Sequence, residues 1–137
     1  MSYEYLDHVA DVEFKARGHT LKDLFFSAAD ALNDTIRGEI VILETTEKNL
    51  SVVGKNLEEL LHNFLEEFLY LLDADNFLVS KITEFEIDEE LKTINAKIVG
   101  DDAKNYVFTN DVKAITYNEM FVRKEGVGWD CQVVLDV

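Results

Sequence analysis

The fold is decided by residues 56–87, NLEELLHNFLEEFLYLLDADNFLVSKITEFEI, in which one hydrophobic pattern replaces another. In the first part, apolar residues recur at helical spacing, at positions 57, 60, 61, 64, 65, 68, 69 and 72. Asn56 followed by Glu59 is a helix-start signal, and the polar run 73–76 ends the pattern. From Leu78 onward the apolar period is two, which indicates a strand. The stretch therefore predicts an amphipathic helix that leads into a β-sheet.

Another amphipathic helix is predicted upstream of this stretch. Thr20 followed by Asp23 resembles a capping box in which Asp replaces Glu. Apolar residues then recur at helical spacing from Leu21 to Ile36, and Gly38 ends the pattern. The chain therefore carries two helices, and each buries one face.

The remaining patterned segments alternate with a period of two or are short apolar runs, which is typical of strands. These predicted strands are residues 10–17, 39–44, 49–53, 79–87, 93–99, 112–123 and 129–137. The polar segment 45–48 between the second and third of them predicts a hairpin. No proline, linker or internal repeat divides the chain. We therefore expect an α+β fold, with two helices packed on a mostly antiparallel β-sheet in one compact domain spanning residues 1–137.

The charge balance is strongly acidic, with 28 Asp and Glu against 13 Lys and Arg and a formal net charge of −15. Capture of a phosphate backbone needs clustered basic side chains, so independent nucleic-acid binding is not expected. The same field speeds encounter with a basic protein or a cation, although many acidic surfaces only maintain solubility. The sequence contains no signal peptide and no apolar run of about 20 residues, so we expect a cytoplasmic protein without a membrane segment.

Carboxylates are concentrated near both ends of the sequence. Asp7, His8 and Asp11 fall within one short segment at the start of a predicted strand, and Asp136 and the α-carboxylate of Val137 end the last one. Two carboxylates about 4 Å apart repel by roughly 4 kcal/mol at an effective dielectric near 20, so a cluster of them stays solvated, ionises partly or holds a cation. Oxygen ligands suit Ca²⁺, Mg²⁺ or Mn²⁺. The alternative is that Asp7 and Asp11 are turn or capping residues and that Asp136 is solvated.

Lys113 and Cys131 are two further candidate functional residues, and each also has an ordinary structural explanation. Lys113 shares a face with Ile115 and Tyr117, so its cation either balances a carboxylate cluster, docks a partner or is an ordinary surface charge. Cys131, the single cysteine, lies inside the last predicted strand, where core packing is expected rather than a nucleophile.

Taken in order, five segments resemble the archease family, whose members assist the RtcB-type tRNA-splicing RNA ligase. They are residues 7–12 (DHVADV), 60–73 (LLHNFLEEFLYLLD), 112–117 (VKAITY), 128–129 (GW) and 133–137 (VVLDV). Together they extend over essentially the whole chain. Val9 departs from the Thr that is usual in the family's first motif, and residues 106–110 lack the His-Pro-like approach that often precedes the third segment.

The resemblance implies an accessory protein rather than an enzyme. It implies a metal site, most often Ca²⁺ with Mg²⁺ or Mn²⁺ as substitutes, formed by Asp11 and Asp136 with Val137 adjoining. It also implies that Lys113 acts on the ligase, with Asp7 and His8 as partner-facing residues. The activity implied is promotion of guanylyl transfer to the ligase, which supports multiple turnover in tRNA splicing. No catalytic residue in the chain itself is implied.

Two other functions remain open from the residues alone. In one, the carboxylates and a divalent ion activate water for a small phosphoester hydrolase, with His8 as the one evident base. In the other, the chain is a chaperone-like interaction module that is indifferent to metal. Turnover of nucleotides by the isolated protein favours the first, and stimulation of unrelated proteins favours the second.

Overall fold

The computed structural model describes residues 1–6, 11–108 and 112–137. Seven strands, two α-helices and one 3₁₀ turn make up this part of the chain. In chain order they are β1 (Ser2–Leu6), β2 (Asp11–Gly18), α1 (Leu21–Arg37), β3 (Thr46–Val53), α2 (Leu57–Asp75), β4 (Phe77–Asp88), β5 (Thr93–Asp102), the 3₁₀ turn (Ala103–Asn105), β6 (Ala114–Glu125) and β7 (Gly128–Asp136).

Both helices begin where the sequence predicts. The Thr20 hydroxyl accepts a hydrogen bond from the Asp23 amide at 3.1 Å, which caps α1. The Asn56 side chain accepts from the Glu59 amide at 2.8 Å, which caps α2. Asn76 ends α2 in the left-handed conformation, at φ 56°.

Two antiparallel sheets hold the strands. The sheet that we call the terminal sheet has the order β1-β2-β7-β6, and the sheet that we call the central sheet has the order β3-β5-β4. α1 contacts β1, β2 and β7 of the terminal sheet and β4 of the central sheet, whereas α2 contacts β6 of the former and all three strands of the latter. The helices thus join the two sheets around one core, and the predicted α+β class is confirmed.

Aromatic rings hold the helices to the central sheet. Phe25 of α1, Phe64 of α2 and Phe85 of β4 meet pairwise with ring centroids 5.6–6.3 Å apart. All three side chains are buried. Burying such a ring contributes roughly 1.5–3 kcal/mol, and an aromatic pair adds about 0.5–1.5 kcal/mol more.

The hairpin predicted over residues 39–53 is wrong. Within the described chain, residues 39–45 form no strand, and β3 pairs along its whole length with β5, from Thr46 opposite Gly100 to Val53 opposite Thr93. The local alternation gave no information about a partner strand so far downstream. The short strand β1, which pairs with β2 from Ser2 opposite Arg17, was also not predicted.

A buried carboxylate fixes the segment that the hairpin prediction misread. Asp101 accepts hydrogen bonds from Thr45 Oγ1 at 2.6 Å, from Tyr106 Oη at 2.7 Å and from Asn105 Nδ2 at 3.3 Å. Tyr106 Oη in turn accepts from the Leu43 amide at 2.8 Å. These bonds stabilise the ionised carboxyl and lower the pKa of Asp101 to about 2. Asp101 is therefore the end of a strand and a structural anchor, not part of a turn.

Candidate functional site

The structure places Asp11 and Asp136 directly opposite each other. Asp11 is the first residue of β2 and Asp136 is the last residue of β7, and the antiparallel register pairs them. Directly opposed residues of an antiparallel pair have Cβ atoms about 4.5–5.5 Å apart and point to the same face. The two carboxylates from opposite ends of the sequence are therefore neighbours.

This carboxylate pair lies on the outer face of the terminal sheet, away from the helices. Phe14 and Ala16 of β2 are fully buried, and so is Leu135 of β7, so these side chains define the inner face. Asp11 and Asp136 alternate with them and belong to the opposite face. Asp136 is exposed and Asp11 is half-buried, whereas Glu13 and Val134, the next residues on this face, are buried.

Strand β6 completes the local frame around the pair. Ala114 lies opposite Asp136, and the Lys113 amide donates a 2.7 Å hydrogen bond to the Asp136 carbonyl oxygen. Because Ala114 carries only a methyl group, this side of the Asp136 carboxylate is not covered by a large neighbour. Val137 is half-buried and packs against the core, which fixes the end of β7.

The donor set matches hard cations in part. Two opposed carboxylates offer the oxygen ligands that Ca²⁺ and Mg²⁺ prefer, and water fills the remaining positions of such sites. Within residues 1–6, 11–108 and 112–137, no group of three or more His, Cys, Asp or Glu side chains is placed to hold a metal. Asp7 and His8 lie outside the described residues, so their predicted contribution keeps the status of a prediction.

The backbone of Lys113 lies beside the carboxylate pair, but its side chain lines another surface. This surface is a groove of about 370 Å³ between α2 and the segment that leads into β6. The other lining residues are Glu66, Glu67, Leu69, Tyr70 and Asp73, all from α2. Lys113 therefore shares a groove with the carboxylates of α2, and all three roles predicted for its cation remain predictions.

The α2 side of this groove is acidic and aromatic. Burial and the neighbouring Glu66 both raise the pKa of Glu67, so the site disfavours its charged form. Tyr70 is 61% exposed, which is unusual for so large a ring. In the part of the chain that the structure describes, no salt bridge neutralises Glu66, Glu67 or Asp73. We call the surface formed by Lys113, Glu66, Glu67, Tyr70 and Asp73 the helix groove.

A ring pair that the sequence analysis missed borders the helix groove. His62 of α2 and Tyr117 of β6 stack with centroids 4.2 Å apart and planes inclined by 13°. His62 Nε2 lies 2.9 Å from the Ile115 carbonyl oxygen, and Nδ1 lies 3.1 Å from Asn63 Oδ1. These two contacts fix the orientation of the His62 ring between α2 and β6. The one signal for this ring pair in the sequence is that His62 lies beside the apolar stripe of α2.

A bulge in β6 presents Tyr117. The register with β7 jumps from Thr116 opposite Val134 to Phe121 opposite Gln132. Four residues of β6, 117–120, therefore lie opposite the single β7 residue Val133, and Glu119 adopts a φ of 55°, which is uncommon outside glycine. Gln132 Nε2 donates to the Glu119 carbonyl oxygen at 2.9 Å and holds the bulge in place.

Cys131 is part of the core, as predicted. It lies on the inner face of β7 with no exposed surface, and burial raises the pKa of its thiol to about 12. The thiolate needed for nucleophilic attack is therefore absent at neutral pH. Neither described helix is long and apolar enough to cross a membrane.

Comparison with known proteins gives one consistent family. The family model described as "Archease protein family (MTH1598/TM1083)" matches residues 3–137. Protein archease of Methanosarcina acetivorans is 36% identical over 98% of this chain and 95% of its own length. Protein archease of Methanopyrus kandleri is 33% identical over the full length of both proteins.

Two solved structures have the same fold. The solution structure of Methanobacterium thermoautotrophicum protein 1598 superposes with a TM-score of 0.83 at 28% identity, covering 98% of each chain. The crystal structure of an archease and possible chaperone from Thermotoga maritima superposes with a TM-score of 0.68 at 17% identity, covering 96% of this chain and 94% of that one. The second comparison supports the fold alone.

Proposed function

Because the chain belongs to the archease family, we propose that it is a metal-binding protein cofactor of an RtcB-type tRNA-splicing RNA ligase. It acts in the cytoplasm by promoting guanylylation of the ligase and thereby multiple turnover. The observation that supports this most is the pairing of Asp11 with Asp136. It brings together one carboxylate from each of the two family-like segments near the ends of the sequence.

The proposed metal site has Asp11 and Asp136 as its protein ligands, with Val137 adjoining and Ca²⁺ as the preferred ion. Asp11 and Asp136 would hold the ion, which would offset the repulsion between their two carboxylates. Mg²⁺ and Mn²⁺ are the alternative ions, since both also take oxygen ligands. Asp7 and His8, which precede Asp11 in the sequence, are proposed as partner-facing residues.

The helix groove is proposed to contact the ligase. Its three carboxylates and its exposed tyrosine suit a basic segment of the partner, since rim charges steer encounter and aromatic rings bind cations. Lys113 is the cation within this surface, and its amide is bonded to Asp136. A contact at the groove and a metal at the carboxylate pair therefore share one backbone connection.

The covalent step belongs to the ligase in this proposal. The guanylyl group is transferred from the nucleotide to a ligase side chain, and this protein contributes a contact surface and a charged end. The described chain contributes no activated nucleophile, since Cys131 is buried and protonated at neutral pH. Accordingly, the isolated protein neither joins RNA nor hydrolyses nucleotides in the presence of Mg²⁺ or Mn²⁺.

The test is a guanylylation assay with purified ligase, labelled GTP and this protein. Wild type is expected to raise the guanylylated fraction and the number of turnovers, and Asp11→Asn and Asp136→Asn are expected to abolish the gain. Glu90→Gln, which removes an exposed carboxylate at the β4–β5 turn, is the matched control and is expected to behave as wild type. Full stimulation by both aspartate variants would contradict the site, and stimulation of an unrelated enzyme would favour a chaperone-like module.

A further inference from the structure

The outer face of the terminal sheet changes its charge from one end to the other. The carboxylate pair occupies the end where β2 begins, and Lys15 and Arg17 occupy the end where β2 finishes. Six residues along a strand span about 20 Å, so Asp11 and Arg17 are far apart on the same face. In a chain with a net charge of −15, this local change of sign is informative.

A groove of about 400 Å³ lies at the cationic end. It is lined by Lys15, Arg17, Gly18 and His19 from the end of β2, by Arg123 and Glu125 from β6, by Val127, Gly128, Trp129 and Asp130 from the β6–β7 turn and β7, and by Met1. This volume falls within the range typical of small-molecule sites. We call it the basic groove.

The floor of the basic groove is built by close backbone approach. A Cβ atom placed on Gly128 would lie 2.8 Å from the Gly18 carbonyl oxygen, so a larger residue there would separate the ends of β2 and β7. Gly126 has a φ of 60° and forms the tight turn between β6 and β7. The turn exposes Val127 at 91%, which gives the groove an apolar rim.

One cation of the groove is structural and fixes its wall. Arg123 forms a two-pronged ion pair with Asp130, with Nε 3.1 Å from Oδ1 and Nη2 3.2 Å from Oδ2. Its guanidinium also lies 4.3 Å from the centre of the Phe121 ring, and its Nε lies 3.1 Å from Glu125. These contacts neutralise Arg123 and hold it in one position.

The other cations remain available for a ligand. The nearest ion pair of Arg17 is with Glu4 at 4.0 Å, and both side chains are more than half exposed, so this pair contributes little. Lys15 forms no salt bridge with any residue that the structure describes. Lys15, Arg17 and His19 all line the groove, and its two carboxylates, Glu125 and Asp130, are both paired with Arg123.

We propose that the basic groove binds a small phosphorylated ligand of mononucleotide size. Lys15 and Arg17 contact the phosphate, since a guanidinium and an ammonium are its usual protein partners, and the apolar rim at Val127 and Trp129 covers the uncharged part of the ligand. A long polyanion does not suit the site, because it would extend over the strongly acidic remainder of the surface. This site lies beyond the proposed metal site and ligase contact.

The test is titration of the full chain with adenosine monophosphate in a buffer that contains EDTA, followed by NMR shifts of backbone amides or by calorimetry. EDTA removes divalent ions, so binding cannot be routed through Asp11 and Asp136. The expected result is saturable binding with shifts at Gly18, His19 and Gly128. Inorganic phosphate is expected to bind more weakly at the same amides, and adenosine without phosphate is expected not to bind.

Variants locate the ligand. Arg17→Gln and Lys15→Gln are each expected to weaken binding about tenfold, as the loss of one charge-assisted hydrogen bond predicts. Lys92→Gln, at the β4–β5 turn of the central sheet, is the matched control and is expected to leave the affinity unchanged. Arg17→Lys keeps the positive charge but lacks the planar guanidinium, so it tests whether phosphate binding requires the charge alone or also the two-pronged donor geometry.

The proposal is overturned by no saturable binding of the mononucleotide, by an equal loss in the Lys92→Gln control or by equal binding of adenosine. Tighter binding of a short RNA through the same residues would replace the proposed ligand by a polyanion and also overturn it. Since this assay contains no ligase, its failure is distinct from a failure of the proposed activation.

Discussion

Tyr117 stacks on His62 with ring centroids 4.2 Å apart, and this contact joins the β6 bulge to the outer surface of α2. The ring of Tyr117 remains 53% exposed, so the stack has one face on the helix and one toward solvent. Burial raises the pKa of Tyr117, and the negative charges of the neighbouring Glu59 and Glu66 raise it further. The stacked rings of Tyr117 and His62 therefore lie at one edge of the helix groove.

Removal of this ring tests its structural role. Tyr117→Ala is expected to lower the free energy of unfolding by about 1 kcal/mol, because it removes the stacking contact and its buried area. Tyr117→Phe retains the ring and is expected to stay close to wild type. Urea unfolding monitored by circular dichroism measures both variants, and equal stability of all three proteins would contradict the stacking argument.

The carboxylate pair predicts opposite effects of one substitution with and without metal. In EDTA, Asp136→Asn is expected to raise the free energy of unfolding by about 0.2–1 kcal/mol, because it removes repulsion between directly opposed like charges. With Ca²⁺ in excess, wild type is expected to gain stability and the variant to gain little, since only a ligand that binds the folded state stabilises it. Thermal unfolding in the two buffers shows whether the variant is the more stable protein in EDTA and wild type the more stable one with Ca²⁺.

The matched control for that experiment is Glu90→Gln, which also removes one negative charge but leaves Asp11 and Asp136 intact. It is expected to respond to Ca²⁺ as wild type does. If Ca²⁺ stabilises Asp136→Asn and wild type equally, the ion binds elsewhere and the proposed ligands are wrong.

Lys113 is expected to affect ligase activation without affecting metal binding. Lys113→Gln removes the cation of the helix groove while the backbone bond from its amide to Asp136 remains. We expect reduced stimulation of ligase guanylylation, unchanged Ca²⁺ affinity by calorimetry and unchanged unfolding temperature. Lys92→Gln is the charge-matched control, and a parallel loss of Ca²⁺ affinity in Lys113→Gln would contradict the separation of the two surfaces.

The buried carboxylate Asp101 predicts a pH-dependent contribution to stability. Its pKa is about 2 in the folded protein, below the ordinary value of 3.8, because Thr45, Tyr106 and the backbone amide of Asp102 donate hydrogen bonds to the ionised form. A lowered pKa in the folded state gives stability that is present above pH 4 and is lost as the pH falls toward 2.

The measurement compares wild type with Asp101→Asn by urea unfolding at pH 7 and near pH 2.5. The stability difference between the two proteins is expected to shrink at the lower pH, because wild type then loses the same ionised group. Asp73→Asn, which changes an exposed carboxylate, serves as the control. A difference that is independent of pH would mean that Asp101 acts through packing and not through its charge.

Local signals predicted the two helices because all of their determinants are close in sequence. Thr20 and Asn56 cap their own helices, and each apolar stripe is continuous. Strand pairing was harder, since β3 finds β5 across the intervening helix α2 and strand β4. No local pattern in residues 39–53 distinguishes that pairing from a hairpin.

The candidate site likewise depends on pairings between distant segments that local sequence patterns do not predict. The juxtaposition of Asp11 and Asp136 was a hypothesis from composition at the two ends, and only the register of β2 with β7 places them opposite each other. The stack of His62 on Tyr117 depends on a four-residue bulge, which period-two alternation cannot predict. The basic groove likewise arises from strand ends that are distant in sequence.

The pairing of β2 with β7 also has a temporal consequence for the protein in the cell. Asp11 is synthesised first, and Asp136 follows 125 residues later in the sequence. Contacts between such distant segments form late in folding because they close a long loop. A nascent chain that does not yet include β7 therefore lacks the opposed carboxylate pair, and β2 and β6 have no strand between them.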